Sequence, residues 1–484
     1  MKRTPIVVWL VCTLAAVAAG FERPDLSVAG PGGSRWKLEV SDRMRGEFVD
    51  WFEGPPASPT PDERYDFFAN RFQAGLRVTR DPVEAFVQLQ HTTLANVPEE
   101  SPGPGGTYFA HTRDDFQAEP WLRQGWLRAR HGIAGGTAAV AVGRQLYRDG
   151  LEAPARDPNL QWLKQQRIAE RLIGPFDYTH VGRSFDGVQT SWDGAAVNVT
   201  GFAFRPTQGG FEVSANRNIE RIDLAGASVT VKDSPAFPAG DARLFWLYYA
   251  DDRDVVVLDN RPPSVREADH DGLTIHTIGA NAAHVHAVGP GKLDVLGWSA
   301  AQTGEWQSDD HAAWAFALEA GYQLPDVWAK PWFRAGVFRG SGDADPTDGE
   351  HDTFFQLLPT ARIYAQFPFY NLMNNQDVFG QLLLRPHANV TVRTDFHWLR
   401  ANDGRDLVYG GGGAIRKDVF GYSGFPALGH HAIGYLADVG ITYTPLDVLS
   451  LYGYYGHVFG GDAVAASFPG DDADYGYLEA TVSF

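Results

Sequence analysis

The chain has 484 residues, of which 44% are hydrophobic and 13% aromatic, with 53 glycines and a formal net charge of −18. That acidity excludes a strongly basic nucleic-acid binder, so no nucleic-acid partner is expected. A single cysteine, Cys12, excludes a disulfide-stapled scaffold.

Taken in chain order, the first element is a leader. Lys2 and Arg3 precede an apolar stretch from Ile6 to Val17, and Ala16-Val17-Ala18 supplies a small-residue exit. This is the pattern of a secretory signal peptide over residues 1–18. The stretch is shorter than the roughly 20 apolar residues that a spanning helix needs. Cys12 lies inside it, and the preceding Val11 argues against a lipoprotein. Residues 19–484 then form one expected domain without a thiol.

Period-2 alternation fills that domain. Phe72, Ala74, Leu76 and Val78 alternate with Arg71, Gln73, Gly75 and Arg77. After Asp81-Pro82, Val83, Ala85, Val87 and Leu89 alternate with Glu84, Phe86, Gln88 and Gln90, which reads as a hairpin. Further on, Val390, Val392, Phe396 and Trp398 oppose Arg393, Asp395 and His397. Ile433, Tyr435, Ala437, Val439, Ile441 and Tyr443 form another apolar face. Such runs predict strands at 35–51, 67–80, 83–94, 119–131, 137–147, 184–192, 195–205, 242–250 and 272–286. Others follow at 292–305, 311–323, 327–339, 376–386, 389–400, 431–444, 447–460 and 474–484, with an eighteenth at 361–367. Residues 159–173 are the best helical candidate, as a loop insertion.

The final strand places Leu478, Ala480, Val482 and the terminal Phe484 on one face. It looks like the assembly signal of outer-membrane barrels, which implies the barrel assembly machinery and outer-membrane lipid as partners. The fold expected is all-β: a transmembrane antiparallel β-barrel of about 18 strands with long loops. A closed sheet pairs every backbone N–H and C=O in lipid, where an open one would leave edges. A soluble sandwich shows the same alternation with its apolar face turned inward, so alternation alone leaves that choice open.

Two stretches resemble a family. The first, Gly174-Pro175-Phe176-Asp177-Tyr178-Thr179-His180-Val181-Gly182-Arg183-Ser184-Phe185-Asp186-Gly187, is similar to the D-W-x-N-x-G-R-x-F-D-G stretch of the alginate export family of outer-membrane barrels. The second runs from Gly340-Ser341-Gly342-Asp343 through Asp348-Gly349 to Thr353-Phe354 and Pro359-Thr360. It resembles that family's S-G-D…D-G…T-F…L-x-P-T stretch. Leu122-Arg123-Gln124 and Val142-Gly143-Arg144-Gln145 fit two shorter motifs upstream. Tyr178 stands where Trp is common, Thr179-His180 where Asn is common, and Ala361-Arg362 where His is frequent. The resemblance implies a cell outer-membrane location, outward passage of an anionic exopolysaccharide, and periplasmic export partners. Its motif residues here are Gly182, Phe185, Asp186, Gly187, Gly342 and Asp343.

A polymer with one carboxylate per sugar calls for guanidinium in the lumen, because Arg pairs with carboxylate in a bidentate manner. Arg71, Arg77 and Arg393 lie on polar strand faces, Arg128 and Arg130 share one parity, and Arg144 and Arg183 come with the motifs. These seven are the pore-lining candidates. The opposing reading is a wall braced by Arg–carboxylate pairs, as Arg393 and Asp395 suggest. No G-x-S-x-G and no H-E-x-x-H is present, so no catalytic residue, metal or cofactor is assigned. His284 with His286 lacks a third ligand, and Asp343, Asp345 and Asp348 miss the EF-hand spacing, with Pro346 intruding. A general or solute-selective porin and, from another class, an outer-membrane polysaccharide-acting enzyme stand as alternatives. A basic lumen favours the export channel, and a paired-carboxylate cleft the enzyme.

Overall fold

Asp81 and Pro82 turn one alternating run straight back on the next, and the same short reversal recurs along the chain. The computed structural model describes residues 24–54, 62–360 and 365–484; the expected signal peptide lies outside them. The first strands are β1 (Arg35–Asp50), β2 (Arg64–Arg80), β3 (Val83–Ala95), β4 (Phe116–Ile133) and β5 (Gly136–Gln145). The meander continues through β6 (Phe185–Asp193), β7 (Val197–Pro206), β8 (Ile222–Val231), β9 (Gly240–Asp251) and β10 (Leu273–Val288). Next come β11 (Gly291–Trp306), β12 (Asp309–Gln323), β13 (Trp332–Gly340) and β14 (Asn375–His387). The sheet finishes with β15 (Val390–Ala401), β16 (Ala432–Leu446), β17 (Leu449–Gly460) and β18 (Asp472–Ser483). Each pairs antiparallel with its neighbour, and β18 returns to β1 in register from Ser41↔Ser483 to Asp50↔Asp474. The result is a closed 18-stranded barrel.

The number 18 agrees with the sequence reading through two compensating errors. β8 was missed, because Ala225, Gly226, Ala227 and Ser228 mute its alternation. The strand expected at 361–367 does not form: residues 361–364 lie outside the described set, and Ala365 and Phe367 are fully buried without strand pairing. The helical stretch at 159–173 contains one helical turn and a half, Pro158–Leu163, continued by a wider turn to Ile168. On β16, a bulge near Leu399 and Arg400 turns Ile433 inward, while Tyr435 and Ile441 keep the outer face.

The direction of the apolar face separates a membrane barrel from a soluble sandwich. Outward side chains are apolar and open to the surroundings, with Leu244 at 67% and Ile278 at 64% exposure. Inward positions on the same walls carry Arg43, Arg45, Arg334, Glu319, Asp294 and Asp377, all buried. Exposed aromatics sit near both rims: Phe48, Trp398, Tyr435 and Phe459 at one end, Trp36, Phe333 and Tyr443 at the other. This is the lipid-facing band with interfacial girdles of a transmembrane barrel. The segment before β1, the end of β18 and the short turns gather at the second rim, the periplasmic one by the general rule, and the long loops at the first.

Candidate functional site

The long loop 146–184 does not stay outside; it folds into the lumen and crosses it. On the way in, its helix buries Leu160 and Leu163, and Asp157 caps it by accepting from the Asn159 and Leu160 N–H groups. Lys164 then pairs with Asp241 of β9, and Arg243 of β9 reaches back to Asp149 at 2.6 Å and Glu152 at 2.7 Å. Glu319 of β12 accepts from Arg167 at 2.9 Å, Arg334 at 3.0 Å and Arg171 at 3.3 Å. These ion pairs fasten the inserted loop to one wall. Its last segment, 174–184, lies against the opposite wall of β1, β2 and β4.

There the contacts converge on one carboxylate. Arg123 pairs with Asp177, Arg148 reaches it at 2.7 Å, and Arg71 approaches at 3.5 Å. Arg43 donates to the Asp177 carbonyl at 2.9 Å and the Thr179 carbonyl at 2.7 Å. Arg45 donates to the Tyr178 carbonyl at 3.1 Å and to Glu479 at 2.8 Å, and its guanidinium lies 4.8 Å from the Tyr178 ring centre. Burial alone would raise the Asp177 carboxyl, but Arg123, Arg148 and Arg71 override it and hold the group at about 2. Neighbouring His180 contacts Glu47 at 2.8 Å, which favours the charged ring, but burial outweighs it and pushes the group down to about 4, so it is neutral at pH 7. The wall thus presents several guanidiniums to one anionic strand of chain that is not itself part of the sheet.

A match to the family model described as alginate export extends over residues 43–476, nearly the whole described barrel. The chain belongs to the alginate export family. None of the curated proteins matches it. Among solved structures it is similar to OpdK of Pseudomonas aeruginosa, crystallised with vanillate, at 10% identity and TM-score 0.55, covering 92% of this chain and 98% of that one. It is also similar to OccAB2 of Acinetobacter baumannii, at 9% identity and TM-score 0.57, covering 93% and 98%. At such identities these likenesses speak for the barrel fold alone. Membership of the alginate export family makes the protein an outer-membrane channel.

The alginate export motifs lie partly on loops and partly on the barrel strands beside them. Gly182 has φ +70°, and a Cβ there would come within 2.7 Å of the Arg123 guanidinium. Phe185 is fully buried at the start of β6, and a Cβ on Gly187 would lie 2.1 Å from the Ala203 carbonyl oxygen. A Cβ on Gly342 would meet Asn374 at 2.0 Å. Asp343 is buried and its N–H donates to Asp406 at 3.0 Å.

The seven candidate arginines divide. Arg71, Arg77 and Arg393 face the lumen. Arg77 is held by Glu39 at 2.8 Å and Glu84 at 2.5 Å, and Arg393 by Asp395. Arg128 and Arg130 lie near the short-turn end of β4, 3.8 Å and 2.8 Å from Glu84. Arg144 does not line the pore: it shares the outward face of β5 with Val140 and Val142 and pairs with Asp186 at 2.7 Å. Its motif context hid that parity. Arg183 is not open to a passage either: it is fully buried and donates to the Gly412 carbonyl at 2.6 Å. Sequence reasoning missed Arg43 and Arg45, whose parity on β1 would have revealed them. Arg148, Arg167 and Arg171 sit on a loop, where no periodicity marks a direction.

Proposed function

We propose that this outer-membrane channel exports an anionic, alginate-like polysaccharide and that Arg43, Arg71, Arg123 and Arg148 handle its carboxylates. The observation that supports this reading is the convergence of Arg123, Arg148 and Arg71 on Asp177. A wall that binds a carboxylate carried on an inserted strand of chain has the chemistry to bind a uronate carried on a polymer. Asp177 occupies that place and competes with an incoming anion. The role is one of passage and has no catalytic step.

Removing the competing charge tests this. Asp177→Asn should shift the channel toward anions, and Arg71→Gln should shift it away. A change of about 1.4 kcal/mol in ion occupancy is tenfold. Reversal potentials of single channels in a salt gradient measure the shift. A channel that prefers cations, or whose selectivity ignores both substitutions, overturns the reading.

A channel for small carboxylates is the second reading. Vanillate, the ligand in the OpdK structure, carries a single carboxylate, as the Asp177 position does. Current block by an oligouronate, with none by a small aromatic acid, separates the two.

A further inference from the structure

On the long-loop side of Asp177, the structure holds a cavity of about 450 Å³. Helix α1 (Gly103–Thr112) bounds it on one side. A hairpin formed by Leu407–Gly411 and Tyr422–Pro426 bounds it on the other. Trp51, Phe176, Phe369, Tyr422 and Phe425 supply aromatic walls. Among the described residues, no Arg, Lys, Asp or Glu lines it. Phe176 immediately precedes Asp177, so the cavity and the arginine cluster meet at one segment.

Its polar equipment is sparse and specific. His111 lines the cavity, and both its ring nitrogens are buried with no hydrogen-bond partner among the described residues. Buried polar atoms left without a partner destabilise the fold, so a ligand that bonds to them recovers that loss. Burial and the nearby Arg416 push the His111 ring down, so it is neutral at pH 7, one nitrogen donating and the other accepting. A concave apolar cavity of a few hundred cubic ångström with few convergent polar groups is the usual form of a small-ligand site.

A pyranose ring fits these features. Its faces present C–H groups with slight positive charge, which aromatic faces attract through their quadrupole. Its hydroxyls both donate and accept, as the neutral His111 ring requires. We propose that this chamber binds pyranose rings of the passing polymer by stacking on its aromatic walls, with His111 bonding a hydroxyl. This rests on the export reading above. The chamber reads the ring and the arginine cluster reads the carboxylate.

The test uses the full chain in planar bilayers, with ion-current block by two probes added on the long-loop side. One probe is an oligouronate; the other is its carboxyl-reduced, neutral counterpart of the same linkage. Phe425→Ala and His111→Ala should each shorten block by both probes, by about tenfold for the ring deletion, and Phe425→Trp should restore it. Phe425 belongs to the hairpin and not to the barrel wall, and heat-modifiable migration verifies folding. Arg71→Gln should shorten block by the uronate alone. Unchanged block by both probes in both chamber variants, a loss confined to the charged probe, or no block of the wild type by either overturns the proposal. If Phe425→Ala weakens both probes while Arg71→Gln weakens neither, the chamber stands and the carboxylate reading fails.

Discussion

At the scale of single residues, the inserted segments are held by charge and by tight backbone fits. Gly182 illustrates the second. A residue with a Cβ at φ +70° pays roughly 1–2 kcal/mol for the left-handed conformation alone, before the clash with Arg123. Gly182→Ala should therefore loosen segment 174–184, seen as faster protease cleavage there while the barrel still migrates as folded. Cleavage at the wild-type rate would show that the fit is not tight. Charge gives a pH dependence in the outer loops. Asp406 accepts from the Asp343 N–H, Thr353, the Leu407 N–H and Tyr409, joining loop 341–358 to the hairpin. Burial nevertheless pushes it up to about 6, and burial pushes Asp343 up to about 7. A carboxyl raised in the folded state contributes stability that is present below its unfolded value near 4 and lost as pH rises through the folded value. Loop 341–358 should open more at pH 8 than at pH 5 in hydrogen exchange corrected for intrinsic rates. Asp406→Asn should flatten the difference; a loop more open at pH 5 contradicts the assignment.

Among the elements, β18 closes the sheet and the 146–184 loop fills it. Beyond the β18–β1 ladder, the Phe484 N–H donates to the Val40 carbonyl at 2.9 Å, extending the seam by one residue. Deleting Phe484 removes that bond and an apolar side chain while leaving the other pairings in place. The expected result is poor insertion and periplasmic degradation, followed by pulse-chase and membrane flotation. Normal insertion of the truncated chain would show that closure of the seam does not depend on Phe484. Strand positions were largely legible because the hydrophobic pattern has period 2 and the turns are short. Ile222–Val231 escaped because small residues carry little hydropathy contrast, and β-pairing there comes from its neighbours β7 and β9.

For the whole molecule, the outward apolar face and the two aromatic rims predict recovery in the outer-membrane fraction. Electrophoretic mobility should change on boiling, since a closed sheet resists detergent until heated. A soluble periplasmic product would contradict the barrel's orientation. The wall alone does not set the selectivity: the inward arginines of β1, β2 and β4 meet carboxylates of their own sheet and of the inserted loop. Arg77 and Arg393, pore-lining candidates from the sequence, are braced by Glu39, Glu84 and Asp395, the last being the pair that the opposing sequence reading named. Arg71, with its neighbours Arg43 and Arg123, instead faces the inserted loop.

The sequence by itself determined the strand pattern, the near-complete run of turns and the polar strand faces that carry Arg71, Arg77 and Arg393. Those follow from local periodicity, which one strand carries without its partners. It also carried the motifs of the alginate export family, whose glycines stand where neighbouring atoms leave no room for a side chain. Only the tertiary structure decided that the apolar face looks outward and that loop 146–184 lies within the pore. Each depends on which residues far apart in the chain meet: Arg43 with Asp177, Arg167 with Glu319, Arg183 with Gly412. Contacts across a lumen have no period, so no local pattern announces them.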